Sequence, residues 1–185
     1  MSVVRARRVR LWYRRDRAWW RRQSSQCPVL PGGGGWASRF QVTVDCADPH
    51  MLADWWAETL GWHVQPQDEA FIRRMISAGH AADSDTRLHN GMLVGKEGAA
   101  ICHPEGTQRA PRVVFQLVPE AKAVKNRLHL DVRIGAGDVE SAVAGLIARG
   151  AKVLHSGQQG AHTWVTLADP EGNEFCVSQS ASSRE

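Results

Sequence analysis

Two stretches of this chain share one alternating pattern, and each opens the same succession of elements. In 39–45, Phe40, Val42 and Val44 alternate with Arg39, Gln41, Thr43 and Asp45. In 127–133, Leu128, Leu130 and Val132 alternate with Arg127, His129, Asp131 and Arg133. A period of two belongs to a strand with one face on an apolar layer. A helical pattern ending in glycine follows each strand. After the first, Asp48-Pro49 supplies an N-cap and a first-turn proline, Leu52, Trp55, Trp56 and Leu60 share a face, and Gly61 stops the helix. After the second, Gly137-Asp138 precedes a stripe of Val139, Val143, Leu146 and Ile147, with Gly150 as the stop.

The rest of each half is strand-rich. The first half predicts a strand from 62–64, then a short amphipathic helix over 68–78 with the pairs Phe71/Met75 and Ile72/Ile76. A polar loop over 80–90 and strands over 91–95, 99–103 and 112–118 complete it. The second half predicts strands over 152–155, 162–168 and 173–178, with a tight turn at Asp169-Pro170-Glu171-Gly172. Laid over each other, the halves place Gln41 opposite His129, and Phe115-Gln116-Leu117 opposite Phe175-Cys176-Val177. The pattern is an internal repeat. It implies an α+β fold of two βαβββ modules, forming a curled mixed sheet around a cleft with helices on the outer face. The helices require Phe40/Val42/Val44 and Leu128/Leu130/Val132 as their apolar floor. The opposite faces, carrying Gln41, Thr43, His129 and Asp131, then line the cleft; Gln116, Trp164 and Cys176 are further candidates for its wall.

Charge separates the N-terminus from this body. Residues 1–38 hold nine arginines and one acid, whereas 39–185 hold 14 basic and 18 acidic residues, a formal charge of −4. The expected organisation is a disordered Arg/Trp-rich extension with a Gly linker (1–38), one domain (39–180, modules about 39–118 and 125–180) and a frayed end (181–185). The run Gly32–Gly35 lacks the Gly-Lys-Ser/Thr ending of a phosphate loop. Through Trp12, Trp19, Trp20 and the arginines, the extension is the basis of one alternative reading, association with nucleic acid or an anionic membrane surface. The acidic body argues against that reading, so neither nucleic acid nor membrane is expected as a partner. The four cysteines show no metal-knuckle or CxxC spacing, which fits a reduced, cytoplasmic protein.

The segments Lys125-Asn126-Arg127-Leu128-His129-Leu130-Asp131 and Asp169-Pro170-Glu171-Gly172-Asn173-Glu174-Phe175-Cys176-Val177, with the paired modules, resemble the vicinal-oxygen-chelate superfamily and its glyoxalase-like group. The resemblance covers about residues 39–180 and is loose over 65–112. It implies a small-molecule ligand and a monomer or homodimer. In metal-dependent members, four strand positions supply His/Gln, Glu, His and Glu to Zn, Ni or Fe. The matching positions here are Gln41, Gln116, His129 and Cys176, which lack both carboxylates. A carboxylate pair offsets a divalent charge that neutral amides do not, and one such Glu also moves the proton in glyoxalase chemistry.

The resemblance therefore implies a small-molecule-binding domain without an essential cofactor, akin to sequestering members of the family. The alternative is a metal-dependent lyase, isomerase or dioxygenase. His129 is the candidate catalytic residue, as a proton-handling group. Cys176 reads as a small wall residue, because no basic residue adjoins it in sequence. Arg39, Arg127 and Arg133 are candidates for recognising a carboxylate or phosphate on a ligand. The Asp169–Asn173 turn reads as structural.

Overall fold

Two four-stranded sheets of the same strand order organise the chain. The computed structural model describes residues 40–135 and 137–180, so the expectations for 1–38 and 181–185 lie outside the described residues. The first half runs β1 (Val42–Cys46), α1 (Pro49–Leu60), β2 (His63–Val64), α2 (Glu69–Ser77), a 3-10 turn (Asp83–Asp85), β3 (Thr86–His89), β4 (Met92–Gly95), β5 (Gly98–Cys102) and β6 (Val113–Leu117). The second runs β7 (Leu130–Ile134), α3 (Val139–Ala148), β8 (Lys152–Gln159), β9 (His162–Ala168) and β10 (Glu174–Gln179). The sheets are ordered β1-β6-β5-β2 and β7-β10-β9-β8, and β3-β4 forms a separate hairpin. In each sheet the first strand runs parallel to the last, and the other pairings are antiparallel. This is the expected α+β architecture of two modules with mixed sheets.

Helix α1 joins the modules into one core. The Asp48 carboxylate accepts from the His50 and Met51 amides, Pro49 sits in the first turn, and Gly61 closes the helix at φ 65°. Both tryptophans are buried. Their rings meet Phe175 of β10 edge-on, at 5.7 Å from Trp55 and 5.1 Å from Trp56. Each indole N–H is satisfied across the module boundary. Trp55 Nε1 donates to the Arg149 carbonyl at 2.9 Å, and Trp56 Nε1 donates to Asp169 Oδ2 at 3.1 Å.

The Asp169 turn is the second tie between modules. Asp169 Oδ1 accepts from the backbone of Glu171 and Asn173, which holds the reversal closed. The Glu171 carboxylate accepts from the amides of Ala47 at 2.6 Å and Asp48 at 2.8 Å, at the corner between β1 and α1. Burial raises the Asp169 carboxyl above its ordinary range, despite the hydrogen bonds from Asn173 and Trp56.

Helix α2 lies on the other side of the first sheet. Ala99 and Ile101 of β5, with Val113 and Phe115 of β6, face the core that contains α1. Their alternates Ala100 and Val114 pack against Ile72, Phe71, Met75 and Ile76 of α2. Alternation places these sets on opposite faces. Strands β5 and β6 are therefore covered on both sides, which is why β5 reads as a continuous small and apolar run, whereas Thr43 and Asp45 of β1 stay exposed.

Four local expectations need correction. Residues 80–90 are not all loop, since they contain the 3-10 turn and β3. Strand β8 continues to Gln159, past a register shift between Val153 and His155. Phe40 and Leu128 are 74% and 88% exposed, because pairing starts only at Val42 and Leu130. The apolar floor is instead Val42/Val44 and Leu130/Val132/Ile134. Ile147 of the α3 stripe also stays about half exposed.

Candidate ligand-binding site

The second sheet keeps an open polar face. Its register aligns Asp131 of β7, Cys176 of β10, Thr166 of β9 and His155 of β8 in one row across all four strands. Two residues further along lies a second row of Arg133, Ser178, Trp164 and Gly157. Residues in register point to the same side, so both rows share a face. All of them except Gly157 line a cavity of about 360 Å³, together with Lys125, His129, His162 and Glu174.

His129 sits one residue before β7. Its Nε2 lies 3.4 Å from Asp131 Oδ1, a contact that an ideal strand makes only marginally. The Cys176 Sγ lies 3.4 Å from Thr166 Oγ1. Donor atoms of His129, Asp131 and Cys176 all lie within 4.8 Å of one another. The structure thus puts a histidine beside Cys176 that sequence adjacency did not show. By contrast, burial drives the Cys46 thiol up to about 12, with the carboxylates of Glu171, Asp45, Asp48 and Asp169 adding to the effect. That thiol is inert at neutral pH.

Glu174 anchors the linker between modules at the mouth of the cavity. It accepts from Lys122 Nζ at 2.9 Å and from the Asn126 amide at 3.1 Å. Partial burial opposes its ionisation, but these bonds prevail and hold its carboxyl at about 2. The far end is aromatic. Trp164 lies over Gly157 so closely that a Cβ there would stand 2.3 Å from its Cε2 and Cζ2 atoms. The His162 ring lies 5.7 Å from Trp164 at 31°.

Of the seven cleft residues read from sequence, His129, Asp131, Trp164 and Cys176 line this one cavity. Thr43 lines a different cavity of about 400 Å³ between β1 and β7, which His129 also borders. Gln41 and Gln116 line neither. Gln41 precedes β1, and Gln116 is in register with Asp45 and Gly98 on the face that α2 covers through Val114. Sequence reasoning missed His155, His162, Thr166 and Ser178. The alternation His162-Trp164-Thr166 in β9 was the available signal for two of them.

The comparisons with known proteins fit this architecture. The model of the glyoxalase-like domain matches residues 41–178. The chain belongs to the glyoxalase-like domain family. This glyoxalase-like chain is similar in fold to a variant of the genomically encoded fosfomycin resistance protein FosX from Listeria monocytogenes, complexed with Mn(II) and 1S,2S-dihydroxypropylphosphonic acid. That match has a TM-score of 0.53 at 7% identity, over 80% of this chain and 94% of that one. Two further similar structures are FosX from Mesorhizobium loti (TM-score 0.49, 8% identity, 80% and 96% covered) and a glyoxalase/bleomycin resistance/dioxygenase family enzyme from Burkholderia phytofirmans (0.48, 14%, 75% and 95%). No curated protein matches the chain. No helix among the described residues is long and apolar enough to cross a membrane.

The family implies a metal in some members, so the donor set matters. A tetrahedral ion at about 2.0–2.3 Å needs donors roughly 3.3–3.8 Å apart, which His129, Asp131 and Cys176 reach with a small closure. Imidazole, carboxylate and thiolate together suit Zn better than Mn. The set differs from the positions matched by resemblance. Asp131 provides a carboxylate, and neither Gln41 nor Gln116 borders this cavity.

Proposed function

We propose that the chain is a small-molecule-binding glyoxalase-like domain whose ligand lies on the open face of the second sheet. The observation that carries this reading is the pair of rows from Asp131 to His155 and from Arg133 to Trp164, bordering one cavity. A cleft of this volume suits a small organic molecule. Residues from all four strands converge on it, and buried backbone pairing fixes their spacing. His129, oriented by Asp131, would exchange a proton with the ligand at its imidazole nitrogen. Binding requires no metal, and the ligand is the only partner the reading needs. The shared strand order of the sheets supports reading them as two copies of one unit. The three described cysteines are free thiols, which supports a cytoplasmic location.

A second reading is favoured by one observation, the His129–Asp131–Cys176 cluster. There these residues would hold a Zn-type ion, which would polarise a ligand oxygen for lyase, isomerase or dioxygenase chemistry.

The readings separate by experiment. In a thermal-shift screen on the full chain, a binder at 100 times its dissociation constant adds about 2.7 kcal/mol of stability. Binding that persists with substoichiometric metal supports the first reading. Stoichiometric Zn in protein prepared without an affinity tag, lost in both His129→Ala and Asp131→Asn, supports the second. We also propose that 39–180 forms the domain without 1–38, so deletion of 1–38 leaves folding and ligand affinity unchanged. Loss of either would refute that boundary.

A further inference from the structure

We infer that the cleft takes a flat aromatic carboxylate, with its ring laid on Trp164 and its carboxylate at Arg133; this rests on the ligand-binding reading above. Trp164 is in register with Gly157 on one side and with Ser178 on the other. Its indole occupies the space where a side chain at 157 would begin. The strand beneath it therefore has to be glycine, and the ring is supported by backbone. Trp164 is partly buried and lines the cavity. The His162 ring lies beside it, with centroids 5.7 Å apart and planes inclined by 31°, and lines the same cavity. Such a platform favours a planar π system over a saturated ring.

The charge balance assigns the other end of the ligand. The carboxylates lining the cavity are Asp131 and Glu174, and both are already engaged. Asp131 faces His129, and Glu174 is held by Lys122 and Asn126. Arg133 lines the same cavity and has no hydrogen-bond or ion-pair partner among the described residues. It stands in the Trp164 row, two strands away, at a backbone separation of about 10 Å. Ser178 lies between them with a buried hydroxyl-bearing side chain. A fused two-ring acid spans that distance when the guanidinium folds toward its carboxylate. The guanidinium binds a carboxylate through two parallel donors, a geometry a neutral amide does not match.

The test titrates the full chain with 2-naphthoate, naphthalene-2-carboxamide and cyclohexanecarboxylate. It follows the indole N–H resonance of Trp164, assigned with Trp164→Phe. The expected result is that 2-naphthoate binds and moves this resonance. The carboxamide and the saturated acid each bind about tenfold more weakly or worse. Arg133→Gln removes most of the gap between carboxylate and carboxamide while the indole shift persists. Gly157→Val displaces the indole and weakens both naphthalene probes together. Arg133 is exposed, so its variant keeps the test decisive if the Gly157 variant fails to fold.

Equal binding of carboxylate and carboxamide overturns the inference, as does binding that leaves Trp164 unmoved. If other compounds shift His129, Asp131 and Cys176 but none of the three probes does, the ligand class is wrong and the cleft reading stands. If no compound shifts those residues, the cleft reading fails, and this inference fails with it.

Discussion

The two sheets have the same strand order and opposite fates. In the first, α1 covers one face and α2 covers the other over β5 and β6, so Val114 is fully buried and Gln116 faces neither of the two cavities described. In the second, Phe175 and Val177 face the core, while Asp131, Cys176 and Trp164 border a cavity. The difference lies in the first module's extra elements, α2 and the β3–β4 hairpin, which have no counterpart in the second. A shared topology therefore fixes where two polar faces can form, and an insertion decides which one stays available.

Ile72→Asp attacks the covered face directly. Ile72 is fully buried between α2 and the first sheet, and a carboxylate there has no partner. The expected loss is about 3–5 kcal/mol, read by urea denaturation. A loss under about 1 kcal/mol would show that α2 does not seal that face.

Trp56→Phe probes the tie between sheets with a smaller effect. It keeps most of the ring against Phe175 but removes the donor to Asp169. The cost should be about 1–3 kcal/mol, chiefly from an under-satisfied buried carboxyl. Its pH dependence gives a further check. The Asp169 carboxyl is raised by burial, so its contribution is present at low pH and is lost as pH rises through its folded value. The destabilisation by Trp56→Phe should therefore shrink on acidification.

Glu174→Gln should give the opposite profile at the mouth of the second sheet. Its carboxyl lies at about 2 rather than the ordinary 4.5, so its stabilisation is present above 4.5 and is lost as pH falls toward 2. The variant should be less stable than the parent at neutral pH and converge with it at the acid end. Parallel acid unfolding curves would refute the Lys122 and Asn126 anchor.

The smallest effect is expected from Phe40→Ser and Leu128→Ser. Both side chains are mostly exposed, so each change should stay within about 0.5 kcal/mol. A loss of several kcal/mol would restore them to the apolar floor predicted from alternation.

These positions show where sequence patterns carry information. The cores of β1 and β7 were legible because Val42/Val44 and Leu130/Val132 alternate above polar partners. Alternation does not mark where pairing begins, so Phe40 and Leu128 were drawn into strands that start two residues later. His129, Asp131 and Cys176 were each legible as cleft residues. Their grouping was not, because it depends on the lateral register of β10 with β7. The length of β8 was hidden by its exposed edge and its register shift at Val153/His155. The apolar stripe of α2 was plain in Phe71, Ile72, Met75 and Ile76. Which sheet face it would cover was not, since both faces of β5, with its small residues Gly98, Ala99 and Ala100, accept a helix.

Chemical-shift mapping with a ligand from the thermal-shift screen tests the central claim most directly. Shifts concentrated at Asp131, Arg133, Trp164, Thr166 and Cys176, with Ile72, Leu93 and Val114 unmoved, are the predicted result. Shifts centred on Val114, Gln116 and α2, with the second sheet silent, would contradict it.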